Sequence, residues 1–551
     1  MTDTFDEARA RELEARLAPI GEALGYSDFT RASRLAAEAL RDGFEHPALY
    51  SLRALGLEQE ERLEEALADL MRAVELAPQD FTAFNALGLC LMRLNRLVDA
   101  LSAFRESARL GPNFPPAHYN MGRACEQLGR LVEAVEAFGE AVRLNGEYLE
   151  PAAALCELAL RRGDLAEARR WADHAAAVQA DHPRVRLAVA GVALAEKDPQ
   201  AATLELERLL AEGRAEPLDR ALGLGVLGDA LDALDHPADA FAAWTACNQQ
   251  VRGLYARQFD GESVADMLVW VTDFFRNAPA APWVVRSETR LAARPDDEVE
   301  THAFLLSFPR SGTTLLEHAL GSHPDVATME ERETLTEVTL DFMVDAGDLE
   351  VLQTAEDDRL DIYRRAYWKR VKGFGFTPGR RVFIDKQPLN TIRLPLIAKL
   401  FPRAKILFAL RDPRDVVLSA FRHRFQVNAA TFEMLDLVRC ARLYDSVMTL
   451  RDLYRLRLGY DEHVTVYEQL VQSFETETAA VCGFLGLDWR EEIMGFAARA
   501  QAGRVATVSG AQVARGLYQS GAGQWRRYAR ELEPALPILK PWVERFGYPP
   551  E

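Results

Sequence analysis

Between about residue 13 and residue 250 the chain repeats itself every 34 residues, a period that implies stacked two-helix units rather than one closed core. Leu87-Gly88, Ala100, Phe104 and Pro112 recur as Met121-Gly122, Ala134, Phe138 and Gly146. Ala66, Leu70, Ala73 and Pro78 hold the same register upstream, and Ala32, Ala36 and Ala39 carry it towards the N-terminus. Downstream the pattern drifts through Ala168 and Ala172 and returns, after a slipped stretch, as Leu227-Gly228, Ala240 and Trp244. Small residues such as Gly88 and Ala100 let the two helices of a hairpin approach closely, while Phe104 or Phe138 fills the gap towards the next repeat.

This pattern resembles the tetratricopeptide repeat, which implies an α-helical solenoid over residues 1–250. Two to three repeats carry the full pattern, and six or seven fit its register. Such an array has no chemistry of its own: it could bind an extended peptide, or position and dimerise an attached enzyme. Beyond residue 251 the repeat is lost. Val264 to Phe275 reads as one amphipathic helix, and Ala278 to Pro282 and Arg294 to Glu298 read as linker, so a second domain is expected over 300–551 with 251–299 between the two.

A formal net charge of -19 argues against a general nucleic-acid binder, whose affinity would come from a basic surface. Any anion site must be local. The N-terminus lacks the basic and apolar regions of a signal peptide and no uncharged apolar stretch is long enough to span a bilayer, so a cytoplasmic protein is expected. Six widely spaced cysteines without a C-x-x-C pair indicate neither a disulfide framework nor a zinc site, and no His/Cys/carboxylate set has metal-ligand spacing.

The chemistry is concentrated in the second half. Phe304 to Phe308, then Pro309-Arg-Ser-Gly-Thr-Thr314, then Leu315 to Leu320 reads as a buried strand, a tight polar loop and a helix start. That order suits a phosphate: Gly312 lets the backbone approach an anion, Ser311, Thr313 and Thr314 supply hydroxyls, Arg310 supplies charge, and the first N–H groups of the helix point the same way. The loop lacks the first glycine and the Lys-Ser/Thr ending of a Walker A motif, which disfavours a nucleotide kinase. Three further apolar runs read as strands: Val382 to Ile384, Ile406 to Leu410 and Val464 to Val466. Polar clusters follow each of them, namely Asp385-Lys386, Arg411 to Asp415 and Tyr467-Glu468. Helical patterns between the strands imply a parallel sheet, whose ligands lie outside the carboxyl ends of the strands, so the clusters should converge on one crevice.

From about 301 to 530 the sequence resembles the sulfotransferases that use 3′-phosphoadenosine 5′-phosphosulfate (PAPS), and is most similar to their tyrosylprotein branch. The resemblance implies a three-layer α/β domain and a sulfuryl transfer that leaves 3′-phosphoadenosine 5′-phosphate (PAP). It places Pro309 to Thr314 on the 5′-phosphosulfate, Arg411 and Ser419 on the 3′-phosphate, and Tyr467 and Ser509 on further parts of the cofactor. It makes Glu331 the base that takes the acceptor proton, with a one-residue slip to Glu330 left open, and puts Lys386 near the leaving oxygen. Arg310 stands where cytosolic relatives carry lysine. The pattern departs at Gln524, where animal relatives have a basic residue that Arg526 could replace, and at His423, near a position those relatives fill with arginine. The implied acceptor is a tyrosine phenol on a peptide recruited by the repeats; a carbohydrate or small-molecule hydroxyl is the alternative within the same fold. A repeat scaffold with a non-catalytic nucleotide-binding domain is the alternative outside it. The same resemblance implies no metal.

Overall fold

A computed structural model describes residues 2–259, 264–278, 283, 299–376, 379, 381–501 and 521–550. They form two compact units, one made of Met1–Leu160 and Leu165–Ala188, the other of Arg161–Asp164 and Val189–Glu551.

The 34-residue period is written into the backbone. Ser27, Glu61, Asn95, Gly129, Gly163 and Lys197 all have positive φ, and each stands 34 residues after the one before it. Each sits in the turn between the two helices of a hairpin, such as Phe81–Arg93 and Leu97–Leu110. Gly88 and Phe104 belong to one such hairpin, and a Cβ on Gly88 would lie 2.4 Å from the Phe104 ring. The aromatic residue therefore fills the space over the glycine of its own hairpin, and Gly122 with Phe138 repeats the arrangement. The next left-handed residue in a turn within a hairpin is Asp235, four residues late. The cause is the helix Pro217–Ala233, which has 17 residues where Phe81–Arg93 has 13. Four residues are about one helical turn, so the register recovers as Gly228 against Trp244, whose ring would lie 2.3 Å from an added Cβ.

Helices Pro217–Ala233 and Pro237–Phe259 lie within the second unit. Ala240 and Trp244 share a core with Leu268, Val271 and Phe275 of the helix Val264–Asn277 and with Phe421 and Tyr528. Phe241 stacks on Phe421 with ring centroids 5.1 Å apart. The repeat pattern thus runs on into the second unit.

At the centre of that unit is a five-stranded parallel sheet: β1 (Thr301–Leu306), β2 (Val326–Glu330), β3 (Val382–Lys386), β4 (Lys405–Leu410) and β5 (Asp461–Val466), in the order β2-β3-β1-β4-β5. Alternation along β1 defines the layers. Ala303 and Leu305 pack with Leu316 and Val481 on one face, and Phe304 and Leu306 with Val417, Tyr444 and Leu539 on the other. This is the expected three-layer α/β arrangement, with one strand more than the four apolar runs suggested. The addition is β2, which ends at Glu330, beside the proposed base. As an edge strand it pairs with β3 alone and buries Val326 and Met329, so no continuous apolar run marks it.

All six cysteines are buried and unpaired with one another. No helix among the described residues is long and apolar enough to cross a membrane.

Candidate active site

Strand order sets the location. From β1 the chain crosses to β2 on one side, whereas from β3 it crosses to β4 on the other, so the loop after β1 opens at the carboxyl edge between its neighbours. Within that loop Arg310 has φ +73° and Gly312 φ +95°. A Cβ on Gly312 would also lie 2.6 Å from the Tyr467 ring, so both backbone conformation and space require glycine there. Ser311 Oγ donates to the Phe308 carbonyl at 2.7 Å, which closes the turn on itself. Thr313 and Thr314 open the helix Thr313–Gly321, where backbone N–H groups have no partner within the helix.

Arg411 follows β4. Its guanidinium donates to the Arg310 carbonyl at 3.0 Å and to the Gly521 carbonyl, and lies 4.8 Å from the centroid of Tyr467. Its Nε is buried with no hydrogen-bond partner among the described residues. Arg310 Nε in turn donates to Ser419 Oγ at 3.1 Å, on the helix Pro413–Phe421. Arg310, Gly312, Arg411, Ser419 and Tyr467 are therefore brought together. Ser509 lies outside the described residues.

The other charges after β4 hold the chain. Arg414 pairs with Asp412 at 2.8 Å and donates to the carbonyls of Pro549 and Pro550, while Asp415 accepts from the N–H groups of Gly523 and Trp525. Gln524 accepts from Arg422 at 2.6 Å, and Arg526 lies over Trp525. Burial, then Arg310, Arg424 and Arg422, push His423 well below the ordinary histidine range, so it stays neutral beside the arginines.

The second cluster stands on the other side of β1, where Leu305 is paired with Lys386. Lys386 is fully buried, and its Nζ lies 2.9 Å from Glu331 Oε1, 3.1 Å from Glu317 Oε2 and 3.5 Å from Glu330 Oε1. Burial opposes its charge, but Glu317, Glu331 and Glu330 outweigh that and raise its pKa. Glu331 donates its backbone N–H to the Lys386 carbonyl and has φ +34°, a conformation that is costly for a glutamate and must be held by its surroundings. The hold comes from β3: Asp385 accepts from Thr334 Oγ1 and from the Tyr367 hydroxyl, each at 2.9 Å. Burial pushes the Asp385 carboxyl up to about 7.

Glu317 is the member that the sequence reading missed. It is a buried acid inside an apolar helix, where burial pushes its pKa up and the Lys386 ammonium pulls it back down. The signal was present as a Glu-His pair between Leu316 and Ala319, directly behind the loop.

Residues 303–491 match the Sulfotransferase family, and residues 48–80 and 126–192 match the Tetratricopeptide repeat. An uncharacterized protein of Aquifex aeolicus (strain VF5) is 25% identical over 268 residues, which are 45% of this chain and 33% of that protein. Protein-tyrosine sulfotransferase 1 of Danio rerio is 26% identical over 260 residues, covering 45% of this chain and 72% of the relative. The sulfotransferase domain of the Synechococcus PCC 7002 olefin synthase is 20% identical at a TM-score of 0.32, covering 45% of this chain and 97% of that domain. The chain thus spans about a third of the Aquifex relative's length.

Proposed function

We propose that this chain, in which tetratricopeptide repeats precede a sulfotransferase-family domain, transfers a sulfuryl group from PAPS to an acceptor hydroxyl, with a peptide tyrosine as the acceptor. The observation that carries this reading is the Glu331–Lys386 pair at 2.9 Å, one strand away from the Gly312 loop on the carboxyl edge of the sheet. A base and a cation beside an anion loop are what the transfer requires.

The residues fit the donor. The partnerless Nε of Arg411 can receive a phosphate oxygen, Ser419 Oγ lies beside it through Arg310, and the loop has an anion-binding backbone. PAPS supplies an activated sulfuryl group, so that an O–S bond forms at the acceptor as the one to the departing PAP breaks. Glu331 Oε1 takes the acceptor proton. Its side chain is 42% exposed, so an incoming hydroxyl can reach it, while Lys386 Nζ holds positive charge at the same place. A phenol with an ordinary pKa of about 10 gains from such a base. The repeats would bring the peptide.

Calorimetry with PAP and with AMP tests the donor assignment: PAP should bind far more tightly, and equal affinities would overturn it. Mass spectrometry of a cell extract incubated with the protein and isotopically labelled PAPS then identifies the acceptor. Label on tyrosine supports the peptide reading, and label on carbohydrate alone replaces it.

A further inference from the structure

The positions of Glu317, Glu331 and Lys386 distinguish two counter-ions of the same ammonium. The side chain of Glu331 is 42% exposed, whereas those of Glu317 and Lys386 are 5% and 0% exposed. Three carboxylates face a single cation. If Glu331 accepts a proton, its attraction for Lys386 disappears at the moment when the cation is needed. A carboxylate held away from water keeps its grip, because charges interact more strongly where solvent is excluded.

We propose that Glu317 is the positioning residue for Lys386, keeping the ammonium charged and in place while Glu331 changes its protonation. The inference rests on the reading of Glu331 and Lys386 as the reacting pair. Glu317 projects from Thr313–Gly321, the helix that begins at the anion loop, so it also ties that loop's helix to β3. The other charged groups around the pair are Glu330 at the end of β2, Arg332 just beyond it, His318 on the same helix, and Arg499 from the helix Phe496–Gln501. His318 is pushed down to about 4, by burial first and with Lys386 and Arg499 opposing Glu330, so it does not serve as a second cation at neutral pH.

The test is the titration of the Lys386 side-chain nitrogen by ¹⁵N NMR in the full chain, compared with E317Q and E317D. The parent should keep its proton across the alkaline range. In E317Q the midpoint should move down by about 1–3 pH units, because a buried lysine has lost its most buried counter-ion. E317D, which restores the charge, should lie between the two. In kinetics E317Q should lower kcat by roughly 10- to 100-fold with KM almost unchanged, and move the alkaline limb of the kcat profile to lower pH.

An unchanged midpoint in E317Q overturns the proposal, as does an E317D no closer to the parent than E317Q. If E317Q fails to fold, the E317D midpoint alone decides: a downward move supports the assignment and no move defeats it. The titration requires no turnover. Failure of the sulfotransferase reading would show separately, as a parent that neither prefers PAP nor sulfates any acceptor.

Discussion

The two units handle charge in opposite ways. In the first, ion pairs such as Arg109–Glu106 and Arg143–Glu140 recur at 34-residue spacing on exposed helix faces, three residues apart. The interior is chiefly alanine, leucine and an occasional aromatic ring, with the buried Asp69 held by Arg53 at 2.6 Å, and pairs of the surface kind contribute little. In the second, Asp385, Lys386, Arg414 and Asp415 are 1% exposed or less. Removing such ions from water costs several kcal/mol each unless partners replace the lost hydration. A solenoid needs only neighbouring hairpins to pack, so little drives charge inwards. The proposed transfer, which moves a proton beside an anion, does need charge inside, and the fold supplies partners for it.

The sharpest attempt to break that contrast is at Glu331 and Lys386, the proposed reacting pair. E331Q should lower kcat by roughly two to four orders of magnitude with PAP binding retained, and K386A should also be severely impaired. E330Q is the internal control. Steady-state kinetics with E330Q inactive and E331Q normal would move the base by one residue, and normal rates for both would remove the proposed mechanism.

A smaller effect is expected on the anion side. R411A should weaken PAP binding roughly 10- to 100-fold while AMP binding changes little, if Arg411 makes the proposed charge-assisted contact to the 3′-phosphate. Calorimetry showing equal losses for both nucleotides would assign Arg411 to holding Arg310 and Gly521 rather than to the ligand.

Core truncations compare the two units directly. Phe104 and Trp244 each cover a glycine of their own hairpin. F104A and W244A should each cost about 3–5 kcal/mol in chemical denaturation. The consequences should differ. Trp244 lies 5.6 Å from Tyr528, and Asn248 of the same helix donates to the Phe421 carbonyl at the end of the helix that carries Ser419. W244A should therefore weaken PAP binding, and F104A should not. For the same reason a fragment beginning at Val264 should lose PAP binding that one beginning at Pro199 retains. Equal binding by both fragments would show that the last hairpin is dispensable to the site.

The last expected effect concerns pH. Folding raises the Asp385 pKa from the usual 3.8 to about 7, so the folded state binds its proton more tightly than the unfolded chain does. The contribution of Asp385 to stability should therefore fall as pH climbs from about 4 to about 7 and flatten above. D385N removes that contribution, so its melting temperature relative to the parent should be more favourable at pH 7.5 than at pH 4. The same difference at both pH values would show that Asp385 is ionised throughout.

Much was legible in the chain itself. A 34-residue period fixes helical hairpins because the same small and aromatic residues return to the same packing positions, and four apolar runs with polar ends announce a parallel sheet. Arg310, Gly312, Arg411 and Tyr467 could be picked out because each lies in a polar cluster that follows a strand, whereas Ser419 came from the family resemblance alone. Three things were decided by tertiary structure. The edge strand β2 has no apolar run, since pairing on one side buries just two of its residues. The last hairpin joins the second unit through a helix one turn longer than Phe81–Arg93, and that extra turn places Asp232 against Arg422, Arg527 and Tyr528. Glu317 looked like one polar residue in an apolar helix, and its meaning comes from Lys386, 69 residues away in sequence and 3.1 Å away in space. Periodicity reports what a residue does for its neighbours in the chain; the state of a buried charge is set by whatever the fold brings within reach of it.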